Sequence, residues 1–581
     1  MTLRSFVNLL VLAALAAGPV LASDGRWEPV FLLRDDTALF PGTPARPKPD
    51  GGWWVTPIHG TLLPDGRVLV TGWGRFDRHD CRILRTRQNG ESFLLDPREL
   101  TGGDPLATRT LQLHPLDEAP RPGMLDVLYC AGHTPLADGR ILYVGGARYE
   151  NLGQKGHELE YGLNYFRIFD PSTSAFSRHE GHPEGAPRRV PGEDWYEPGM
   201  MWYPTTTRLP DRRVLVSGGF TRFCGDGTCP NRDLEVFDLD ALNASRDPWT
   251  TWIDHRHMPG ELDLGLKDYV HAVLLPRPVP PERGNGHARE VVLMGMPGRV
   301  ALLSLDPAVP ERERLWVPWP GPLTASARPG GALAWDASAC LTGTGELLVL
   351  GGGPDPDREG QRLDLYDPLT GRWRSVDTGI TRHSPATTLL PDGTVLIVNG
   401  EPDGPRALGD ARRPQIFDPF SGRLTTLAAW PDENPQVRGY HSFSVLLKDG
   451  RVLIGGGMLG LGQIGCERPD VRIFSPPYLS GARPVLEVAE PVRAANGGEI
   501  ALRVSGAAVR ERRGVVLMAC SSETHSFDQN QRYVELAVHR DGHGRLRARI
   551  PDARCAPQGD YILYAISRDG VPSVGAHVRV E

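Results

Sequence analysis

The stretch VRGYHSFSVLLKDGRVLIGGG, from Val437 to Gly457, decides the fold of this chain. Two runs of mainly apolar residues flank a Lys-Asp-Gly turn, and glycines follow the second run. Such runs on either side of an Asp-Gly pair predict a β-hairpin. Tyr440 and His441 stand next to each other at the entrance to its first strand.

Copies of this hairpin recur along most of the chain. With the opening stretch they number seven, and the other six begin at His59, Cys130, Tyr203, Tyr269, Ala337 and Ser384. A second pair of short strands separates most copies, as in RLDLYDPLTGRWRSV. Four short strands repeated seven times predict a seven-bladed kelch-type β-propeller over residues 24–475. The alternative is unrelated hairpins in a sandwich, and the shared phase of the copies argues against it.

The pattern changes after Phe474-Ser475-Pro476-Pro477. Alternating strands such as GEIALRVSG and GDYILYAISRDG then fill about a hundred residues. This predicts an immunoglobulin-like β-sandwich over residues 476–581, so the whole mature chain is expected to be all-β. Taken alone, such a module is often a spacer or binds sugars.

The first 22 residues are typical of a secretory signal. Arg4 provides the positive charge, residues 6–17 form an apolar core, and Val20-Leu21-Ala22 resembles a cleavage site. The core is shorter than the roughly 20 residues that span a bilayer, which favours cleavage over a retained anchor. We therefore expect a secreted, periplasmic or cell-surface protein with no integral membrane span after cleavage.

The net charge bears on the binding partners of the protein, and the cysteines bear on its disulfides. The net charge of −7 is well mixed and no basic block stands out, which excludes nucleic acid as a partner. Export permits disulfides among the eight cysteines. Two pairings are open from the sequence, Cys224 with Cys229 and Cys520 with Cys555.

The turn aspartates provide a common ruler for the repeats. Counting back eight residues from each of four of them reaches Cys130, Tyr203, Ser384 and His441. Because superposable repeats place equal phases at equal positions, Cys130, Tyr203 and His441 should converge at one end of the central channel. Tyr440, one residue earlier, can face the same mouth.

A thiol, two phenols and an imidazole at one mouth form a transition-metal constellation. Imidazole and phenolate suit Cu(II), the tightest binder among the divalent first-row ions. A bound cation lowers the pKa of its ligands, so a tyrosine can bind as phenolate near neutral pH. Each residue alone is more often a packed or hydrogen-bonded side chain, and the shared register is what favours the metal site.

At these residues the sequence resembles the copper radical oxidases, the galactose oxidase and glyoxal oxidase family. YCAGHTPLADGR, MWYPTTTRLPDRRVLVSGG, RGYHSFSVLLKDGRVLIGGG, FSPPYL and THSFDQNQRYVEL carry the resemblance. It covers nearly the whole mature chain, and the WYPT and THS…NQR forms are closer to the glyoxal oxidase branch.

The resemblance implies a role for each candidate residue. It implies that a thioether joins Cys130 to Tyr203, that Tyr203 is an equatorial copper ligand and the radical site, and that one copper ion binds here. Tyr440 would be the axial ligand and general base, His441 an equatorial ligand, and His525 the second histidine, on a sandwich loop entering the channel. Phe220 or Phe223 would stand where galactose oxidase stacks a tryptophan over the thioether, which weakens a galactose assignment.

The sequence thus predicts an exported, monomeric copper radical oxidase that reduces O2 to H2O2. The substrate would be a small aldehyde or a primary alcohol, which a glycan can carry. The alternative is a catalytically silent kelch propeller that binds carbohydrate or a protein partner, and the presence of all five candidate residues argues against it. A propeller hydrolase would need paired carboxylates, which Asp65 and Asp336 do not form convincingly.

Overall fold

The computed structural model describes most of the chain between residues 24 and 581. The described residues are 24–28, 31–32, 34–35, 53–76, 83–84, 92–98, 100, 111–113, 124–128, 130–150, 159–179, 201–224, 227–231, 233–254, 257, 269–295, 299–318, 337–351, 361–401, 408–430, 438–457, 468, 470–488, 492–542 and 545–581. The expected signal segment, residues 1–22, lies outside them. Among the described residues, no helix has both the length and the apolar character needed to cross a membrane.

The predicted hairpin over 437–457 is confirmed. Ser442–Leu446 pairs antiparallel with Val452–Gly456, in the register Ser442 with Gly456. The Gly450 N–H donates to the Leu447 carbonyl at 2.9 Å, and Gly450 has a φ of 86°. The connection is therefore a β-turn followed by a left-handed glycine, which closes a three-residue loop.

Seven antiparallel sheets follow one another along the described chain, and we number them sheet 1 to sheet 7. Sheet 1 contains Trp53–Leu62, Val68–Phe76, Ser92–Leu95 and Leu111–Leu113, and sheet 2 contains Gly132–Pro135, Ile141–Val144, Phe166–Asp170 and Ala175–His179. Sheet 3 contains Thr205–Arg208, Arg213–Ser217, Leu234–Asp238 and Trp249–Ile253, and sheet 4 contains His271–Val279, Arg289–Gly295, Arg299–Leu303 and Leu315–Trp316. Sheet 5 contains Ser338–Leu341, Leu347–Leu350, Arg362–Asp367 and Arg372–Asp377, and sheet 6 contains His383–Leu389, Val395–Glu401, Gln415–Asp418 and Arg423–Thr426. Sheet 7 contains Ser442–Leu446, Val452–Gly456, Asp470–Ser475 and Arg26–Trp27.

The first strands of consecutive sheets contact one another. Hydrogen bonds between side chains connect Thr61 with His133 (sheets 1 and 2), Ser338 with Thr387 (sheets 5 and 6), and Thr388 with Ser444 (sheets 6 and 7). The Thr207 hydroxyl donates to the Ala272 carbonyl between sheets 3 and 4. Gly132 lies against Pro204, Gly60 lies against Phe443, and sheets 4 and 5 share one apolar cluster. The succession therefore returns from sheet 7 to sheet 1.

Two sheets contain strands from distant parts of the chain. In sheet 7, Arg26–Trp27 pairs with Asp470–Ser475, and Phe31–Leu32 extends the same edge. In sheet 1, Ser522–Thr524 pairs with the first strand, with His59 opposite Thr524, and then pairs with Phe527–Asp528. Sheet 1 also takes Arg34–Asp35 and Ile83–Leu84 at its edges.

A further five-stranded sheet lies outside this succession. It contains Met124–Val127, Ala147–Glu150, Leu159–Gly162, Phe220–Cys224 and Gly227–Pro230. Helices are few and short: Leu239–Asn243 and Glu311–Arg314 are α-helical, and Pro281–Arg283 and Pro477–Ser480 are 3₁₀. The Asp238 carboxylate caps the first of these helices by accepting from the Asp240 and Ala241 N–H groups.

The C-terminal residues form two sheets over an apolar core of their own. One sheet contains Val485–Glu487, Glu499–Ser505, Ala537–Arg540 and Leu546–Arg549. The other contains Val492–Ala494, Val515–Ala519, Tyr533–Glu535, Gly559–Ala565 and Ala576–Val580. Burial alternates along Glu499–Ser505, as expected for a strand with one face on the core.

Candidate metal centre

The five candidate residues come together from four separate parts of the fold. We call them the metal-centre residues: Cys130, Tyr203, Tyr440, His441 and His525. Three of them precede the first strands of their sheets: Cys130 in sheet 2, Tyr203 in sheet 3 and His441 in sheet 7. His525 lies between Ser522–Thr524 and Phe527–Asp528, the two C-terminal strands that pair into sheet 1. All but Tyr440 are buried.

Backbone geometry confirms that the register positions are equivalent. Cys130, Tyr203, Ser384 and His441 have φ values of 61°, 63°, 49° and 65°. A left-handed conformation costs an L-residue roughly 1–2 kcal/mol, so it is rarely repeated by chance. The Tyr203 N–H donates to the Cys130 carbonyl at 2.8 Å, and this bond joins two of the strained positions.

The donor atoms of the centre lie within a few ångströms of one another. Cys130 Sγ is 3.6 Å from His525 Nε2. One ligand atom from each of Cys130, His441 and His525 lies within 4.8 Å of the other two. The imidazoles of His441 and His525 are nearly perpendicular, at 89°, with their ring centres 4.7 Å apart.

The two phenols meet at the same place. The hydroxyl oxygens of Tyr203 and Tyr440 are 2.6 Å apart. The Tyr440 ring stacks on His441 at 4.1 Å, and the Tyr203 ring stands edge-on to His525 at 5.3 Å. At this distance one phenol donates its hydroxyl proton to the other in a hydrogen bond.

The electrostatic surroundings keep His525 neutral. Burial lowers its pKa well below the usual range, and the neighbouring His441, His59 and His133 lower it further. A neutral imidazole has a free nitrogen lone pair, which is the form that binds a metal. The hydroxyl of Thr524 lies 2.5 Å from His525 Nδ1 and orients the ring.

This donor set fits copper. Two imidazoles, two phenols and a thiol give nitrogen, oxygen and sulfur donors in a dry pocket, and nitrogen and oxygen donors are those that Cu(II) prefers. Among the residues described, no carboxylate belongs to this donor cluster, which disfavours Ca²⁺ and Mg²⁺.

Trp202 is a further aromatic residue beside Tyr203 that the sequence analysis did not single out. Its ring stacks on Tyr203 with centres 5.2 Å apart and planes 17° apart, and it is buried. The side chains of Phe220 and Phe223, expected there instead, lie outside the described part of the structure. Adjacent residues in a strand point to opposite faces, but the left-handed Tyr203 breaks this alternation. The WYPT motif, which begins with Trp202, was the feature of the sequence that could have revealed this residue.

Two more residues that pack around this site begin hairpin copies found in the sequence. Counting back eight residues from the turn aspartates did not identify them as candidates. His59 Nε2 accepts the Cys130 N–H at 3.0 Å, so Nδ1 is the nitrogen that carries the proton. The hydroxyl of Tyr269 donates to the Ala131 carbonyl at 3.1 Å, and its ring lies 5.3 Å from Tyr203. Both residues pack around the Cys130–Tyr203 pair.

The segment that carries His525 is anchored on both sides. Gln529 Oε1 accepts from the Thr206 N–H at 2.9 Å and from the His133 N–H at 3.2 Å. Glu523 Oε2 accepts from the Ser444 N–H at 2.9 Å. The C-terminal segment is therefore tied to sheets 2, 3 and 7 on either side of His525.

The pairing of Cys520 with Cys555 is wrong. Both thiols are free, and the Cys555 thiol instead donates to the Pro276 carbonyl at 3.4 Å. Burial raises the pKa of Cys520 above the usual range, so it remains a protonated thiol. The side chains of Cys224 and Cys229 lie outside the described ones, and their pairing stays a prediction.

Comparisons with known proteins agree with this fold and site. The aldehyde oxidase GLOX of Vitis pseudoreticulata is 34% identical over 555 residues, which cover 89% of this chain and 90% of the relative. The galactose oxidase-like, Early set domain family matches residues 483–580. A solved fungal alcohol oxidase of the AA5 family, in complex with copper, shares the fold, with a TM-score of 0.64 at 17% identity over 96% of this chain and all of that one.

Two other relatives match over shorter lengths. The aldehyde oxidase GLOX1 of Arabidopsis thaliana is 31% identical over 274 residues, 40% of this chain and 44% of the relative. Galactose oxidase of Gibberella zeae is 28% identical over 269 residues, 43% of this chain and 37% of the relative. In these two alignments the chain spans less than half of the relative's length.

Fold and site together define a β-protein with a buried nitrogen, oxygen and sulfur centre that its C-terminal segment completes. The similarity to the Vitis pseudoreticulata protein over most of both chains is specific enough to assign a family. The chain belongs to the copper radical oxidase family, in its glyoxal oxidase branch.

Proposed function

We propose that this protein is an exported, monomeric copper radical oxidase that reduces O2 to H2O2. Its substrate would be a small aldehyde or a primary alcohol, which a glycan can carry. The single observation that carries the proposal is the convergence of the five metal-centre residues, with the Tyr203 and Tyr440 hydroxyls 2.6 Å apart. The names of the aldehyde oxidases and galactose oxidases among its relatives support the substrate class.

In this proposal, sheets 1 to 7 are the seven blades of a kelch-type propeller over residues 24–475. Contacts between consecutive first strands support it, as does Arg26–Trp27, which pairs with the last sheet and would close the ring. Residues 476–581 would then be the sandwich domain. Its Ser522–Thr524 strand pairs with the first strand of sheet 1 and would place His525 in the channel.

The residues that would hold copper are Tyr203, Tyr440, His441 and His525. Bound copper would supply one of the two oxidising equivalents and would acidify the substrate oxygen. A second equivalent must come from the protein, and the proposed thioether between Cys130 and Tyr203 would provide it. Sulfur bonded ortho to the phenol donates electron density and makes the Tyr203 radical easier to form.

The remaining steps belong to side chains of this chain. Tyr440 would accept the proton of the substrate hydroxyl, and the 2.6 Å distance between its hydroxyl and that of Tyr203 supports a shared reacting position. The Tyr203 radical would remove the hydrogen atom from the substrate carbon. Trp202, stacked on Tyr203, would shield that radical from water. An alcohol then leaves as aldehyde, or a hydrated aldehyde as acid.

A peroxide-coupled screen of aldehydes and primary alcohols tests the proposal. We expect turnover by the copper-loaded wild type, and no turnover by His525→Ala, which removes one proposed ligand. His539→Ala is the matched control, because His539 is an exposed histidine of the same C-terminal region and should leave turnover unchanged. Equal activity of the His525→Ala variant would contradict the assignment.

A further inference from the structure

A small cavity lies where sheets 3 and 4 meet the C-terminal segment. Its volume is about 30 Å³. A water molecule needs roughly 10–15 Å³ by this measure, so the cavity has room for one ion of halide size or about two waters. Its lining comprises Thr207, Arg208, Ala272, Val273, Leu274, Phe527, Asp528, Gln529, Asn530, Gln531, Arg532 and Pro557.

Three buried nitrogen donors of the lining residues have no hydrogen-bond acceptor among the described residues. They are Arg208 Nε, Gln529 Nε2 and Arg532 Nη1. The three residues are 7%, 4% and 8% exposed. A buried donor without a partner costs about 1–3 kcal/mol, and more where the donor is charged. The lining also holds one unpartnered buried acceptor, Gln531 Oε1, so three unpartnered donors against one acceptor indicate that a further acceptor belongs there.

The other polar side-chain atoms of Arg208 and Gln529 are already bonded. The guanidinium of Arg208 donates to the Gln558 carbonyl at 3.1 Å and to the Tyr561 hydroxyl at 3.2 Å, which leaves Nε. Gln529 Oε1 accepts from Thr206 and His133, so its amide nitrogen is the atom that remains. The orphan donors are therefore not the result of a different hydrogen-bond assignment within the cluster.

Charge in the cavity is unbalanced. Arg208 and Arg532 bring two positive charges, whereas Asp528 is the one acidic residue of the lining. The Asp528 carboxylate accepts the Ser522 N–H at 2.8 Å and the Asn530 N–H at 2.9 Å, so local backbone donors already use it. Asp560, close by in the sandwich, is bound by Arg579 and His577. A buried positive charge without a counter-ion is strongly unfavourable.

We propose that this cavity is a binding site for one small monovalent anion of halide size, held by the side chains of Arg208, Gln529 and Arg532. One negative charge balances the excess, and the cavity volume suits a single ion of halide size. The site is separate from the metal centre and needs no copper. The anion fastens the end of the segment that carries His525, because Gln529 and Arg532 follow His525 by four and seven residues.

Thermal unfolding of the full-length chain tests the site, with chloride as the probe. Chloride replaces methanesulfonate at constant ionic strength, in copper-loaded and copper-free protein. We expect the wild-type Tm to rise with chloride and then saturate, as ligand linkage requires, and we expect no such rise for Arg532→Gln. Arg483→Gln is the matched control: the Arg483 guanidinium is already bonded to three carbonyls, so this variant should lose stability but keep the chloride response.

Crystals of the wild type soaked in bromide locate the anion directly. We expect an anomalous peak within hydrogen-bond distance of Arg532 Nη1, whether or not copper is present. The bromide experiment uses only the wild type, so it tests the site even if the Arg532→Gln variant does not fold. Wild-type stability that is indifferent to chloride, water alone in the cavity, or a bromide peak confined to the metal centre would each overturn the proposal.

Discussion

His59→Ala should destabilise the protein and reduce the fraction of chains that form the proposed Cys130–Tyr203 thioether. His59 is buried, and its Nε2 accepts the N–H of Cys130, whose left-handed backbone is itself strained. Without this acceptor the Cys130 N–H is buried and unpaired, and the lost ring leaves a cavity. Together these effects should lower the free energy of unfolding by about 4 kcal/mol. His59→Gln keeps an acceptor within reach and should cost about 1 kcal/mol.

Two measurements on the same samples check this. Urea unfolding gives the stability, and intact mass after disulfide reduction gives the fraction of chains lighter by two hydrogens. His133→Ala is the matched control, because this neighbouring buried imidazole bonds Thr61 and Ser522 and makes no hydrogen bond to Cys130. We expect it to lose stability yet cross-link normally. The reasoning is refuted if His59→Ala cross-links as fully as wild type, or if the Gln variant is no better than the Ala variant.

Three further outcomes follow from single contacts. Trp202→Leu removes the ring stacked on Tyr203, so the oxidised enzyme's radical spectrum should decay several-fold faster while the cross-link mass is retained; an unchanged decay would contradict the shielding role. Gly456→Ala places a methyl group against the Pro57 and His441 carbonyls at a φ of 66°, so copper affinity measured by competition should fall roughly ten-fold or more, and an unaltered affinity would show that the strand adapts. Burial lowers the pKa of His133 to about 3, so between pH 6.5 and 3 the unfolded chain binds a proton that the folded chain does not. As the pH decreases through that window, this group should lower the free energy of unfolding of the copper-free protein by about 1.4 kcal/mol per pH unit. His133→Asn should therefore flatten the dependence of the urea midpoint on pH.

Short-range patterns made much of this fold predictable. Apolar runs on either side of a turn depend on neighbouring residues alone, so the hairpins could be placed from the sequence. Counting from the turn aspartates also reached four positions that are left-handed in the structure, including Ser384, because four of the seven hairpin copies repeat the same backbone there. The resemblance to a known family supplied His525, which no count along the repeats reaches.

What the sequence did not reveal depends on contacts between distant segments. Arg26–Trp27 pairs with Asp470–Ser475, and nothing in a two-residue strand indicates its partner. Trp202 was overlooked because a stacking tryptophan was sought only near Phe220 and Phe223, whereas Trp202 lies next to the left-handed Tyr203 and stacks on its ring. The Cys520–Cys555 pair was expected from their common domain, but Cys555 faces Pro276 of sheet 4 instead.

The intact mass of the copper-loaded protein after complete disulfide reduction tests the central claim most directly, beside Cys130→Ala and the control Cys340→Ala. Cys340 is also a buried thiol, but it lies in the first strand of sheet 5. The account predicts that wild type and Cys340→Ala are two hydrogens lighter than their sequences require, and that Cys130→Ala has its full mass. A full mass for the copper-loaded wild type would contradict the Cys130–Tyr203 thioether and the radical mechanism that depends on it.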